Sequence, residues 1–209
     1  HDDIRPVVGG SHIIDEMERL YPERSITPSG TKQTLTSLLL ELFGDEWLPM
    51  AALHYRWNPP ANAQFALAEF SRCGLPLIPN FIGRRLVASM ANKMKGYLPV
   101  LGVTATTQPG VEKMVAELIR DLDVHLAAHS FLLGERPCIG DFAVFGPLWA
   151  HLYRDPGSTC LFEAAPHVVK WMNTLRNPAS VEGDFLADDA IPETLTPILQ
   201  RIFEEQIPW

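Results

Sequence analysis

The stretch Phe131-Leu-Leu-Gly-Glu-Arg-Pro-Cys-Ile-Gly-Asp-Phe142, continued by Ala143-Val-Phe-Gly-Pro-Leu-Trp-Ala-His-Leu-Tyr-Arg-Asp-Pro156, decides the fold of this chain. From Phe142 to Tyr153 apolar side chains fall on almost every side of a helix. That pattern predicts a segment buried all round rather than one lying on a surface. Such a segment needs other helices around it, and the flanking sequence supplies them. Upstream, Pro109 opens a helix whose stripe runs Val111, Val115, Leu118, Leu122, His125 and Leu126, with His129 continuing it. Downstream, Val168, Trp171, Met172 and Leu175 form a shorter amphipathic helix. An acidic loop (Glu182, Asp184, Asp188, Asp189) then leads to a last helix bearing Leu195, Leu199, Ile202 and Phe203. The fold class read from these periods is an all-α bundle around one central helix.

Further outward, the region from Thr31 is helical throughout. Leu35, Leu38, Leu39, Leu42, Phe43, Trp47, Met50, Ala51 and His54 recur at three- and four-residue spacing. Pro49 falls inside this run and predicts a kink, because its ring clashes with the carbonyl four residues back. Asn58-Pro59-Pro60 ends the run, and a short helix is predicted around Phe65 to Phe70. Ile82, Leu86, Met90, Met94 and Leu98 form the next stripe at four-residue spacing. The front of the chain differs. Ile4 to Val8 reads as one strand ending at Gly9-Gly10, and Ser11 as the cap of a short helix carrying Ile13, Ile14, Met17 and Leu20. A lone strand cannot satisfy its own backbone donors and needs a partner ladder. The resulting organisation is a strand–helix segment over 1–24, a linker over 25–30 and a helical domain over 31–209.

Composition narrows the function classes. The 209 residues include 17 Lys+Arg against 25 Asp+Glu, a formal net charge of −8. This balance argues against nucleic acid as a partner, since phosphate contacts need positive surface. Cys73, Cys138 and Cys160 are too few and too scattered for a disulfide framework or a zinc cage, which points to a reducing compartment, cytoplasmic or organelle matrix. No transmembrane segment is expected, because no run of 18 apolar residues occurs. His1-Asp2-Asp3 does not open a signal peptide, and without an initiator Met the chain reads as beginning inside a longer product.

The segment 131–156 resembles the C-terminal helical domain of the glutathione S-transferase superfamily, which carries a Leu-Leu-Gly … Ser/Thr-x-x-Asp signature at this place. Glu46-Trp47-Leu48, His54-Tyr55-Arg56-Trp57, Leu101-Gly-Val-Thr104, the Pro166–Leu175 helix and the 183–192 loop are also similar to it. The resemblance implies that Cys138 and Asp141 form the capping box that starts the central helix, with a thiol, a weak acceptor, in place of the family's hydroxyl. It implies that residues 4–21 are the last strand and helix of a thioredoxin-like domain. Ser11 then stands at the hydroxyl position of the glutathione site, with Gly10 where the family has an acid. Ser11 as a plain helix cap is the competing reading. The resemblance also puts His54, Tyr55 and Arg56 beside the second-substrate pocket, against which stands a hydrogen-bonded core role for His54. The family's thiol-activating residue has no counterpart in this sequence, so no catalytic residue is assigned. Glutathione is expected as a ligand only where the rest of the N-terminal domain is present, and no other cofactor is implied.

Three further features carry both a functional and a structural reading. His125 and His129 are spaced for a metal, yet no carboxylate completes the set, and no metal is expected. No cysteine can be paired with a base from spacing alone. Between Phe70 and Val111 lie five basic residues, Arg72, Arg84, Arg85, Lys93 and Lys95, and no acidic one. This patch suits an anionic ligand, an acidic partner or a membrane surface, and equally a solvated helix face. Together these features predict a glutathione-transferase-like protein acting as a non-catalytic scaffold or interaction subunit, with a protein partner or a second copy, and an association surface on the stripe from Leu35 to Met50. The alternative is a transferase, adding a glutathione thiolate to an electrophile, whose catalytic domain is missing from this chain.

Overall fold

A computed structural model describes residues 10–177 and 183–207. Nine α-helices make up most of the described chain: α1 (Gly10–Leu20), α2 (Thr31–Leu42), α3 (Leu48–Trp57), α4 (Pro60–Gly74), α5 (Asn80–Lys95), α6 (Gln108–Ala128), α7 (Ile139–Pro147), α8 (Pro166–Arg176) and α9 (Thr196–Arg201). Among the described residues there is no strand, only isolated bridges of Gly134 to Phe131 and to Phe185. The expected strand Ile4–Val8 lies outside the described residues. Ser11 falls inside the first turn of α1, which starts at Gly10, and so is not its cap.

The run from Thr31 to Trp57 is one long helical path with a π-helical turn, Phe43–Trp47, in its middle. Pro49, one residue into α3, has no amide hydrogen to give a preceding carbonyl. The wider turn just before it absorbs the mismatch, which is the form the predicted kink takes. A second π-helical turn, Leu148–Tyr153, follows Pro147 at the end of α7.

The face that α2 buries is not the one its leucines mark. Gln33, Thr36, Ser37, Leu40, Phe43 and Gly44 are buried, whereas Leu35, Leu38 and Leu42 are exposed. The reason is the closeness of the crossing with α7. A Cβ at Gly44 would stand 2.4 Å from the Ala143 carbonyl carbon, and one at Gly140 would stand 2.6 Å from Leu40 Cβ. Small residues make this seam, and large ones are excluded from it. Gly44→Ala is therefore expected to push the helices apart at a cost of about 2–3 kcal/mol. Chemical denaturation would report this, and an unchanged midpoint would show that the seam has room.

The stripe Ile82, Leu86, Met90, Met94 and Leu98 is corrected for a geometric reason. Steps of four residues advance 40° past a full turn, so over four steps the stripe winds nearly half-way round the helix. Leu98 is buried and Met94 packs against the core, while Ile82, Leu86 and Met90 face solvent. The buried side of α5 is Gly83 and Ala91 instead. Likewise α7 buries Asp141 and Val144, and the following turn buries Leu148 and Leu152. Phe142 is exposed, and Phe145 and Trp149 are half-buried against the core, so the central helix is covered by neighbours on most sides but not all round. The predicted buried faces of α6, from Val111 to Leu126, and of α8, Val168, Trp171, Met172 and Leu175, are observed, with His129 half-buried just beyond the end of α6.

Candidate functional site

The start of α7 is built around one carboxylate. Asp141 is fully buried, and it accepts the Cys138 N–H at 2.9 Å, the Leu132 N–H at 3.1 Å and the Trp171 indole N–H at 2.9 Å. The reciprocal half of the capping box, the Asp141 N–H on the Cys138 sulfur, also forms. Burial pushes the Asp141 carboxyl up to about 6 against these donors, all of which favour its charged form. The Cys138 thiol is pushed far above its ordinary range by burial and by the Asp141 charge, so it is no nucleophile. This node joins the 131–135 turn, α7 and α8. The same turn holds the C-terminal loop, since Glu135 N–H donates to Asp184 O and Leu186 N–H to Leu133 O, both at 3.0 Å. Gly134, at φ 132°, makes the close approach possible.

The three side chains compared with a second-substrate pocket are all buried, and those of His54 and Arg56 have their polar atoms engaged. His54 Nε2 lies 3.0 Å from Glu112 Oε1, and its Nδ1 accepts from Asn58 Nδ2 at 2.8 Å. Tyr55 is pushed up to about 12 by burial, with the Glu112 charge adding to it. Arg56 grips the buried Asp155 through Nε and Nη2 at 2.6 and 2.9 Å, tying α3 to the end of the second π-helical turn. A forked pair of this kind is held in place because either ion alone would be an uncompensated buried charge. Glu112, Asn62 and Asp189 complete these contacts, although nothing in the sequence pattern marks them. Fully buried Asn62 donates to Tyr55 O at 2.8 Å and to Ser158 Oγ at 3.0 Å. Asp189 takes the Lys32 and Gln33 N–H groups, both at 2.9 Å, capping α2 from the acidic loop. His125 is also committed, with Nδ1 2.8 Å from Thr194 Oγ1 and Nε2 3.2 Å from Phe131 O.

The chain also offers surfaces. A cleft of about 420 Å³ opens between the end of α6, the following turn and α8, lined by His129, Ser130, Glu135, His167, Lys170 and Thr174. No residue singled out as a ligand contact lines it. On α2, Leu35, Leu38 and Leu42 are 58%, 50% and 44% exposed, in line along the outer face. On α1, Ile13, Met17 and Leu20 are exposed too, and Glu18 ties this helix to the linker by accepting from Ser25 Oγ and from the Ile26 N–H. Of the five basic residues, Arg72 pairs with Glu69 and Arg84 bonds Gln64 across the α4–α5 hairpin, while Arg85, Lys93 and Lys95 are exposed.

Residues 90–178 match the family described as glutathione S-transferase, C-terminal domain. Residues 90–178 carry the likeness to a glutathione S-transferase C-terminal domain. The matched segment runs from the last part of α5 through α8 and contains the Asp141 node, the whole of α6 and the Trp171 helix. The α1–α4 region, with the leucine stripe and the His54–Arg56 contacts, lies before it. No curated protein sequence matches the chain. No helix among the described residues is long and apolar enough to cross a membrane.

Proposed function

We propose that this glutathione-transferase-like chain is a non-catalytic interaction subunit that pairs with a second copy of itself through the outer face of α2. The observation that carries this reading is the row of exposed leucines 35, 38 and 42, backed by a helix face already packed on α7. The polar residues at its two ends are complementary. Lys32 lies at one end and Asp45 and Glu46 at the other, all exposed, so two copies set antiparallel about Leu38 bring cation to acid at both ends. Asp45 is held above the usual carboxylate range by partial burial and by Glu46, a cost that a facing lysine relieves. The burial of Tyr55 and the commitment of His54 and Arg56 to internal partners support association over turnover.

Sedimentation velocity tests this directly. The protein is expected to run as a dimer, and Leu38→Asp to weaken pairing roughly 100-fold, the scale set by burying an unpaired charge in an apolar contact. A wild-type protein that stays monomeric at high concentration would overturn the proposal. Incubation with glutathione and a chromogenic electrophile is expected to give no turnover above buffer. Turnover lost on Ser11→Ala would instead establish the transferase reading.

A further inference from the structure

We propose that the outer face of the α4–α5 hairpin is a docking surface for an anionic lipid membrane. Its composition is the first argument. The turn before α5, its first turn and the turn after it project bare apolar side chains, with Leu77 97% exposed, Phe81 74% and Val100 80%. Between them, along a helix about 24 Å long, Ile82, Leu86 and Met90 continue the exposed apolar row, and Tyr97 follows. Ile82 and Leu86 point away from Ala91 into solvent, and Met90 lies at the edge of the inward side formed by Gly83 and Ala91. Side chains so exposed gain nothing in water, and a row this long is far beyond scattered surface leucines.

Charge selects the occupant. Arg85 and Lys93 share this face, Lys95 sits at its edge, and none of the three has an ion-pair partner among the described residues. The segment between Phe70 and Val111 carries five positive charges and no negative one, in a chain whose net charge is −8, so the remainder carries −13. A second copy of this chain set on the same face by two-fold symmetry would bring cation against cation, which excludes self-pairing here. An anionic bilayer fits both halves of the pattern. Its headgroups neutralise Arg85, Lys93 and Lys95, its interface takes the apolar row, and a helix lying in the membrane plane needs no spanning segment. The end of this face from Leu77 to Leu86 precedes the matched segment 90–178. The face shares no residue with the leucine stripe of α2, and the two surfaces stand or fall separately.

The test is flotation of the full chain with vesicles of phosphatidylcholine alone or containing about 30 mol% phosphatidylserine. Binding is expected only to the anionic vesicles, and it should weaken steeply toward about 0.5 M salt, where the screening length is roughly 4 Å. The triple variant Arg85→Gln, Lys93→Gln, Lys95→Gln is expected to bind roughly 100-fold more weakly, since each cation near the surface contributes about a factor of five. Leu77→Asp with Phe81→Asp should abolish the salt-resistant part of binding. All five positions are exposed, so circular dichroism and melting temperature are expected to match the wild type. No flotation with anionic vesicles, equal binding to neutral ones, or full binding by both variants would overturn the proposal. So would retention on immobilised polyglutamate without vesicle binding, which would assign the face to an acidic protein.

Discussion

Asp141→Ala is expected to cost the protein about 4 kcal/mol of stability, the largest effect of any single substitution outside the cores of the helices. The substitution removes one acceptor and strands three donors, the Leu132 and Cys138 amides and the Trp171 indole, in a place that water does not reach. Each buried donor left without a partner costs about 1–3 kcal/mol. The three report on different segments, so no single rearrangement restores them. Asp141→Asn keeps an acceptor oxygen but turns an NH2 toward an N–H, and about 2 kcal/mol is expected to be lost. Urea unfolding measures both, and Trp171 fluorescence follows the indole directly. A loss under about 1 kcal/mol for the alanine variant would mean that the node is a by-product of packing and not what holds α7, α8 and the 131–135 turn together.

Of that node, only the Cys138–Asp141 pair was legible, through a family resemblance attached to a local spacing, and its Leu132 and Trp171 donors were not. Asp141 and Cys138 are three residues apart, and the helix they start is apolar enough to name. The buried faces of α6 and α8 were legible from local spacing, since Val111 to Leu126 and Val168 to Leu175 keep a helical period against one continuous core. Three things were not. The α2 seam is written in small residues, Ser37, Gly44 and Gly140, so a reading weighted by large apolar side chains chose Leu35, Leu38 and Leu42, which face outward. The α5 stripe failed through winding, because residues four apart do not share a face over four turns. The partners of His54, Arg56 and the α2 amides come from Glu112, Asp155 and Asp189, far away in the chain, and nothing local announces such pairings. Of the candidate contact residues, the basic patch kept an outward role at Arg85, Lys93 and Lys95. The trio His54, Tyr55 and Arg56 turned inward.

Acid is expected to destabilise the fold well before the ordinary carboxylates titrate, and two histidines set the window. Burial holds His125 and His151 down at about 4, from an ordinary value of 6.5, with the Arg56 charge adding to the effect on His151. A histidine whose folded value is depressed contributes nothing above 6.5, where both states are neutral. Below that the unfolded chain takes up a proton that the folded one refuses, so stability falls as pH drops from 6.5 to about 4. The geometry agrees. Phe131 O can only accept, so His125 Nε2 carries the hydrogen and Nδ1 takes the Thr194 hydroxyl, leaving a second proton unwelcome. His151 Nδ1 is a buried atom with no hydrogen-bond partner among the described residues. Asp141 works in the opposite sense. Its folded value of about 6 lies above the ordinary 3.8, so the folded state gains as pH falls through that interval. Two histidines outweigh one carboxylate, and the net loss is roughly 3 kcal/mol by pH 5, each tenfold difference in proton affinity counting about 1.4 kcal/mol. For a chain of this length that lowers the melting temperature by roughly 6–12 °C. Calorimetry across pH 7.5 to 5 checks it, and His151→Leu is expected to remove roughly three quarters of the net slope, because Asp141 then offsets most of what His125 contributes. A melting temperature that holds level across that range would show that both histidines take up protons in the folded state as freely as in water.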